Sequence, residues 1–389
     1  MTSAYAGLRV LDFTTTIAGP HCTRLLADLG ADVIKIEGPD GDMLRTRPPL
    51  RGGASSLFGQ LNAGKRSVVF DLKQPEAIEA AKRLASEVDV LVENYRPGVM
   101  TRLGLDFATL APINERLVYC SISGYGQTGP SAELAAYAPV VHATSGFDLA
   151  HLAHQPGRTR PDNCGVYVAD VITGTYALGA IGAALNQRSR TGRGQHLDVS
   201  MLESMLSITL VEMQAAQFEV PPPPARSIFG PVATGTGYIN IAVASERTFQ
   251  GLADTAGRRD WLDDKRFAKY LDRRANWGEL MDEFEVWSKA RPIDEVLAAL
   301  ARNTVPAAAY RTVAEAMADP QLAHRQALAE VADAGGTFQA LNPPFRMSDG
   351  ATQIGSRAPA LGEHTSEVLA SAGLQLSATS RSEATRVEP

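Results

Sequence analysis

The 389 residues exceed what one hydrophobic core usually organises, so we expect two domains. The hydrophobic fraction of 44% and the charged fraction of 21% are typical of a globular protein, which excludes a disordered or fibrous chain. The net charge of −6 leaves no basic footprint for nucleic acid, so an anionic ligand would have to meet local cations.

Short apolar strands alternate with helices through the first two hundred residues. The sequence predicts strands at 8–13, 33–36, 67–70, 88–92 and 117–122, with helices at 22–29 and 75–86. This alternation predicts βαβ units and a mostly parallel α/β sheet. Because ligands of such sheets bind at the carboxyl ends of the strands, the residues after each strand are candidates for a site.

Four consecutive prolines, Pro221 to Pro224, predict a stiff spacer and a domain boundary. Residues 1–220 would form the first part of a large domain. Residues 225–318, with one strand at 238–243 and several helices, would form a small domain, and residues 319–375 would return to the large one. The last residues, 376–389, are polar and charged and are predicted to be disordered.

The cysteines and histidines give no sign of a metal site. Cys22, Cys120 and Cys164 lie far apart in the chain, so we interpret them as buried thiols, and the seven histidines form no ligand cluster. The chain contains no obvious apolar run of membrane-spanning length, and its beginning does not resemble a signal peptide. A cytoplasmic location is therefore expected.

The segment from Val168 to Met201 carries the strongest pattern in the chain. Asp170 stands where the N-cap of a helix is expected, and a stretch rich in Gly and Ala follows it. A helix with so few large side chains lets another backbone or a ligand come close. A basic turn around Gly192 then ends the helix, as cations and glycine commonly do. Taken alone, Asp170 is better explained as a helix cap and nothing more.

The whole chain, from about residue 7 to residue 373, resembles the class III CoA-transferase family. This family includes formyl-CoA transferase, carnitine CoA-transferase and alpha-methylacyl-CoA racemase. The matching signature residues are Asp170, Gly174, Arg188, Thr191, Gly192, Gly194, Gln195, Val199 and Met201. Further matches lie at 10–13, 18–20, 29–37 and 359–365.

The resemblance implies a fold, partners and a reaction. The fold would be a large Rossmann-like domain with a parallel sheet, formed by both chain ends, plus a smaller α+β domain, in an interlocked homodimer. The partners would be an acyl-CoA and a small carboxylic acid, with coenzyme A as co-substrate and no covalently bound cofactor. Asp170 would attack the thioester and carry first an anhydride and then a CoA thioester. Backbone N–H donors for the oxyanions are expected beside it.

The resemblance also implies which residues contact CoA and the substrate. They are Ile17, Leu72, Lys73, Asn94, Tyr95, Arg96, Arg102, Gly124 and Tyr137. Arg102 suits a phosphate contact because arginine pairs readily with phosphate, although any one of these cations could equally be a solvated surface residue. Ile17 stands where formyl-CoA transferase has a glutamine, so a larger and less polar acyl group than formate or oxalate is expected.

Two other functions remain as alternatives. A racemase needs an acid and a base on opposite faces of the α-carbon, but Ala136 or Tyr137 occupies the position where the racemase branch has a histidine. His142 lies five residues further on and would need a shift in register. We therefore favour transfer over racemisation. A non-catalytic CoA-binding protein stays open, whereas a dinucleotide-binding module lacks its glycine motif, because only Gly19 follows the first strand.

Overall fold

The computed structural model describes residues 3–155, 157–219 and 228–374. The predicted proline spacer and the tail at 376–389 lie outside these residues. The chain divides into two compact units: Met1–Phe147 with Asn163–Leu210 and Gln321–Pro389, and Asp148–Asp162 with Val211–Pro320. Residues 148–162 thus group with the middle of the chain. The predicted domain bounds stay a prediction.

The strands, in chain order, are β1 (Arg9–Asp12), β2 (Asp32–Glu37), β3 (Leu50–Arg51), β4 (Ala54–Ser55), β5 (Arg66–Val69), β6 (Val90–Glu93), β7 (Val118–Ser123), β8 (Gln195–Ser200), β9 (Val232–Ala233), β10 (Tyr238–Ile241), β11 (Ala307–Ala309), β12 (Leu328–Asp333) and β13 (Gly336–Leu341).

The α-helices are α1 (Ala18–Asp28), α2 (Ser56–Asn62), α3 (Pro75–Ala85), α4 (Val99–Leu103), α5 (Phe107–Leu110), α6 (Ala138–Thr144), α7 (Phe147–Leu152), α8 (Val168–Thr191), α9 (Met201–Leu206), α10 (Leu210–Ala215), α11 (Glu246–Ala256), α12 (Tyr270–Ala275), α13 (Trp277–Ser288), α14 (Ile293–Arg302), α15 (Val313–Met317), α16 (Pro320–His324) and α17 (Thr365–Ser371). Short 3₁₀ helices span Met43–Thr46 and Arg259–Leu262.

The first unit is built on a six-stranded sheet in the order β5-β2-β1-β6-β7-β8, and every pair in it is parallel. The predicted parallel α/β fold is confirmed. The chain runs outward from β1 through β2 to β5, then returns to the other side of β1 and continues through β6, β7 and β8. Because the order reverses between β1 and β6, the carboxyl ends of these two strands open a crevice suited to a ligand.

Both faces of this sheet are covered, which explains its continuous apolar strands. On one face, Leu11, Ile34 and Leu91 pack with the alanines and Leu84 of α3 and with Val368 of α17. On the other face, Val10 and Val90 pack with buried residues of α1 and α8, among them Cys22, Leu26, Ala177, Ile181 and Ala184. Helix α17 contacts the sheet at β5, where Thr365 Oγ1 accepts the Val69 N–H at 3.1 Å.

Helix α1 begins at Ala18, four residues before the predicted start at residue 22. Pro20 lies within this first turn, where a proline is tolerated because the N–H that it lacks has no partner within the helix. The earlier start brings the N-terminus of α1 directly to the carboxyl end of β1.

Helix α8 corrects the expectation that no apolar run could span a membrane. It is 24 residues long, its most apolar stretch of 18 residues has a mean hydropathy of 1.5, and among the described residues it alone is long and apolar enough. Its buried positions, including Ala169, Thr173, Ala177, Ile181 and Ala184, recur every three or four residues and follow one face. This is the pattern of a core helix packed on a sheet.

The second unit contains the antiparallel sheet β11-β10-β9. Its core gathers Ile239, Phe249, Trp261, Phe267, Trp277 and Phe284 with neighbouring aliphatic residues. Within it Arg273, only 2% exposed, forms an ion pair with Glu246 at 2.6 Å. Cys22 and Cys120 in the first unit are buried, as expected, but Cys164 is partly exposed, because it lies in a segment outside any helix or strand.

Candidate active site

A cavity of about 240 Å³ opens at the carboxyl ends of β1 and β6, where the strand order reverses. It brings together six of the residues selected from the sequence: Asn94, Tyr95, Arg96, Gly124, Tyr137 and Asp170. Its remaining lining is Thr15, Thr16, Ala18, Met43, Pro97, Ile122, Ser123, Ala132, Leu134, Ala136 and Met201.

Four selected residues do not line this cavity. Ile17 is buried just beneath it, between the lining residues Thr16 and Ala18. Leu72 packs against the core that covers the α3 face of the sheet, and Lys73 is exposed. Arg102 is exposed in the last turn of α4. Contacts of these four residues with CoA stay predictions.

Asp170 lies inside the first turn of α8, as its third residue, and not at the N-cap, which is Tyr167. The position matters because a carboxylate in a first helical turn is stabilised by the helix dipole without having to cap the helix. Ala18, the first residue of α1, lines the same cavity, and its backbone N–H has no partner within α1. Burial raises the pKa of Asp170 to about 6, and hydrogen bonding to the Ala18 backbone opposes part of this rise. The carboxylate is therefore largely ionised at neutral pH.

The contact between Asp170 and Ala18 depends on the close approach of α1 and α8. A Cβ added to Gly174, one turn after Asp170, would stand 2.5 Å from the Ala18 carbonyl oxygen. Only glycine permits this separation of the two helices. The N-termini of α1 and α8 thus converge on one carboxylate, and both supply partial positive charge to it.

His142 forms a hydrogen bond with the backbone of the first turn of α8. The imidazole is 1% exposed, and its Nε2 accepts the Ala169 N–H at 3.1 Å. A helix leaves its first N–H groups without partners in the helix, and His142 satisfies the one next to Asp170. The histidine considered as a racemase base is thus a helix-capping group, and it does not line the cavity.

The loop between β1 and α1 is fixed by the loop after β6. Asn94 accepts the Thr15 N–H through Oδ1 and donates Nδ2–H to the Thr15 carbonyl, both at 2.8 Å. Thr16 has a φ of 63°, a left-handed conformation that is uncommon for a residue other than glycine. Asn94 was selected from the sequence as a CoA contact, and the structure gives it this scaffolding bond as well.

The CoA-contact candidates Tyr95 and Arg96 follow a buried acid. Glu93 accepts the Tyr95 N–H at 2.9 Å, and burial raises the pKa of Glu93 to about 7 despite hydrogen bonds from Ser121 and Tyr95.

Gly124 meets the segment before α6 so closely that a Cβ there would lie 2.2 Å from the Ala136 Cβ. The glycine of this loop is therefore required for packing.

The sequence predicted backbone N–H donors beside Asp170 but did not identify Ala18 as their source, and it missed the capping role of His142. A signal for the first existed, because Gly19-Pro20 after a strand is a common helix start. No signal existed for the second, since one buried histidine in an apolar helix looks like any other core residue. Among the described residues, no group of three His, Cys, Asp or Glu side chains is arranged to hold a metal ion.

Comparison with known proteins places these features in context. The model of CoA-transferase family III matches residues 5–365. A succinate–glutarate CoA-transferase from Agrobacterium fabrum is 34% identical over 385 residues, covering 94% of each chain. The succinyl-CoA:glutarate CoA-transferase of Homo sapiens is 31% identical, covering 93% of this chain and 84% of the human one.

Two solved structures are similar over nearly the full length. A CaiB/BaiF family protein from Brucella suis shares 34% identity with a TM-score of 0.82, covering 96% of this chain and all of the other. A hypothetical protein from Mycobacterium tuberculosis shares 29% identity with a TM-score of 0.85, covering 95% of this chain and 99% of the other.

Proposed function

The chain belongs to family III of the CoA-transferases, and we propose that it transfers CoA from an acyl-CoA to a carboxylic acid through covalent intermediates on Asp170. The observation that carries this proposal is the setting of Asp170. Its carboxylate faces a cavity at the reversal of strand order, is partly buried, and has one backbone N–H as its bonded donor. Such a group is ionised at neutral pH and still has lone pairs for attack.

Transfer would proceed in two half-reactions, of which the second is the reverse of the first with the acceptor acid in place of the donor acid. Asp170 attacks the thioester carbonyl, and the carbon–sulfur bond breaks. CoA thiolate is released, and the acyl group remains on Asp170 as a mixed anhydride. The thiolate attacks the Asp170 carboxyl carbon, the donor acid departs as a carboxylate, and an aspartyl-CoA thioester remains. The acceptor carboxylate attacks that thioester and releases the thiolate, which then takes the acyl group from the new anhydride. Asp170 is regenerated, and no proton is consumed.

The protein's part in these steps is orientation and stabilisation of charge. Each attack places negative charge on a carbonyl oxygen, and the N-terminus of α1 supplies N–H groups and dipole beside Asp170. The same groups favour the resting carboxylate. Partial burial keeps competing water away from the anhydride, which would otherwise hydrolyse.

We propose that Asn94, Tyr95 and Arg96 contact CoA at the cavity and that Leu72, Lys73 and Arg102 contact it outside. Arg102→Ala should weaken CoA binding by about 1.5–3 kcal/mol, the range for hydrogen bonds to charged groups. The control is Arg83→Ala, which removes another exposed arginine, from α3. Calorimetry with CoA would measure both, and equal affinities in the two variants would reject the Arg102 contact.

The acids remain to be identified by screening. The similar transferases are named for succinate and glutarate, so we propose a dicarboxylic acid of that size as the first candidate. The expectation of a larger, less polar acyl group stays a competing prediction. Parallel assays with dicarboxylic and branched aliphatic acyl-CoA donors would decide between them.

Isotope exchange tests the covalent path without knowledge of the acceptor. Labelled CoA should enter acyl-CoA in the absence of added acid, because formation of the anhydride is reversible and a labelled thiolate can attack its acyl carbonyl to re-form acyl-CoA. Hydroxylamine added during turnover should convert Asp170 to a hydroxamate, detectable by mass spectrometry of the peptide. A protein that only binds CoA would show neither result.

The racemase alternative is tested in heavy water. Racemisation removes the α-proton in every turnover, whereas transfer acts at the carbonyl. A 2-methylacyl-CoA incubated without acceptor should therefore gain no deuterium. Deuterium entering as fast as turnover would contradict the transferase proposal.

We also propose an interlocked homodimer with a Rossmann-like large domain, as the family resemblance implies. In the described chain, α8 exposes large apolar side chains, including Val171 at 43% and Tyr176 at 48%. Such residues are commonly covered by a partner surface. A dimer mass by light scattering at micromolar concentration is expected, and a monomer would contradict it. The cytoplasmic location stays a prediction.

A further inference from the structure

We propose that two buried ion pairs, Lys35–Asp42 and Lys65–Asp12, are positioning residues that hold the β1–α1 loop so that the N-terminus of α1, at Ala18, stays beside Asp170. This inference rests on the proposed function, because it assigns the pairs a role in presenting the nucleophile. All four residues are at most 3% exposed, and none of them lines the cavity.

The first pair is attached to the loop at two points. Lys35 Nζ lies 3.1 Å from Asp42 Oδ2 and donates to the Thr14 carbonyl at 2.7 Å. Asp42 Oδ1 accepts the Thr16 N–H at 3.4 Å and the Leu44 N–H at 2.9 Å. The pair therefore joins the beginning of the loop to Thr16, two residues before Ala18.

The second pair joins the start of the loop to the first turns of α1. Asp12 Oδ1 accepts the Thr14 N–H at 2.8 Å, while its Oδ2 binds Lys65 Nζ at 3.0 Å. Lys65 also donates to the Pro20 carbonyl at 3.1 Å and to Thr23 Oγ1 at 2.8 Å. Ala18 thus lies between two segments that the same ion pair holds.

Overall stability is a poor explanation for these pairs, because apolar residues of similar volume often stabilise a core as well or better. The loop itself needs outside support. Thr16 is held in a left-handed conformation that a side chain disfavours, and such a conformation persists only where surrounding contacts impose it. A displacement of about 1 Å at a reacting group can reduce a rate by about 10²-fold, so holding the loop has a catalytic consequence.

The test removes the first pair without changing net charge, in Lys35→Met/Asp42→Leu. Its matched control is Arg188→Met/Asp89→Leu, which removes a pair of 2.9 Å between the last turn of α8 and the residue before β6. Each variant loses one ion pair of about 3 Å with at least one buried partner, so a purely structural role predicts an effect on activity in both. If Lys35→Met/Asp42→Leu does not fold, Lys35→Met/Asp42→Asn replaces it, because it removes the same ion pair but keeps a polar side chain at position 42.

Two readouts are expected to separate the variants. The Lys35–Asp42 variant should lose about 10- to 100-fold in kcat with a smaller change in KM, and the control should lose much less. Titration of Asp170 by NMR of ¹³C-labelled aspartate, assigned with Asp170→Asn, should give a pKa above that of the intact protein in the first variant only. The reason is that the Ala18 hydrogen bond, which lowers this pKa, is lost.

The NMR titration does not depend on transferase activity, so it distinguishes the two proposals. If the intact protein transfers no CoA, the proposed function fails, and the pKa difference still reports on the loop. If both variants leave the pKa of Asp170 unchanged and lose kcat equally, the positioning role is overturned.

Discussion

Asp12 and Asp170 lie near the same edge of the same sheet, and their pKa values shift in opposite directions. Burial raises the pKa of Asp12, but Lys65, Lys35 and the hydroxyls of Thr14 and Thr23 outweigh it and hold that pKa below its usual value. Asp170 is less deeply buried than Asp12, but burial still raises the pKa of Asp170 to about 6. The effect of burial prevails because only the Ala18 backbone opposes it. The bonded partners, and not depth alone, decide how each carboxylate titrates.

The same contrast separates a structural carboxylate, Asp12, from the proposed nucleophile, Asp170. The Asp12 oxygens accept four hydrogen bonds, from Thr14 N–H, Thr14 Oγ1, Thr23 Oγ1 and Lys65 Nζ. A carboxylate has about four acceptor sites, so Asp12 has none left for attack on a thioester. Asp170 keeps most of its lone pairs and faces a cavity.

The largest expected effect is on catalysis, from Asp170→Asn. Transfer should fall by about 10⁴-fold or more, as for the loss of a nucleophile in other covalent enzymes, while the fold is retained. Steady-state transfer and far-UV circular dichroism would measure the two properties. Retention of a tenth of the activity would show that another group carries the acyl chain.

The largest effect on stability is expected on the Asp12 side. Lys65→Met leaves Asp12 buried without its charge partner and should lower the free energy of unfolding by about 3–5 kcal/mol. Urea unfolding followed by fluorescence would measure this change. Asp170→Asn in the same assay should show no comparable loss, and equal losses would contradict the comparison.

A smaller effect follows from separating α1 and α8. Gly174→Ala forces a Cβ against the Ala18 carbonyl and should cost about 1–3 kcal/mol of stability, with a loss of activity because the Ala18 N–H moves away from Asp170. Gly179→Ala in the same helix meets open space, so it should retain activity and gain up to about 1 kcal/mol. Identical behaviour of the two alanine variants would show that the close approach has no role.

The smallest expected effect is the pH dependence. Because the folded pKa of Asp170 is raised to about 6, the protein is destabilised as pH rises through that value and the carboxylate ionises. Asp170→Asn should match the intact protein below pH 4 and exceed its unfolding free energy by about 1–2 kcal/mol above pH 7, a range reduced for the partial exposure of the group. Activity should change in the opposite direction, with kcat/KM falling as pH drops below about 6. A flat stability difference across this range would contradict the raised pKa.

Local patterns in the sequence were sufficient for the family, the parallel sheet and the choice of Asp170. The apolar strands and the Gly-rich helix repeat with periods that directly reflect burial on a sheet. The signature from Asp170 to Met201 is one continuous segment, so it needs no knowledge of folding. The loop after β6, with Asn94, Tyr95 and Arg96, was found for the same reason: it follows a strand end, where parallel sheets bind ligands.

Only the tertiary structure decided which groups surround Asp170 and what state they impose on it. Ala18 lies 152 positions before Asp170 in the chain, and Lys65 lies 53 positions after its partner Asp12. These groups meet because β1 lies centrally in the sheet and because Gly174 allows two helices to approach closely. Periodicity shows that a position is buried but not which partner it meets there. The pKa of a buried carboxylate depends on that partner, so the sequence could identify Asp170 as the candidate nucleophile but could not show how its carboxylate is held and ionised.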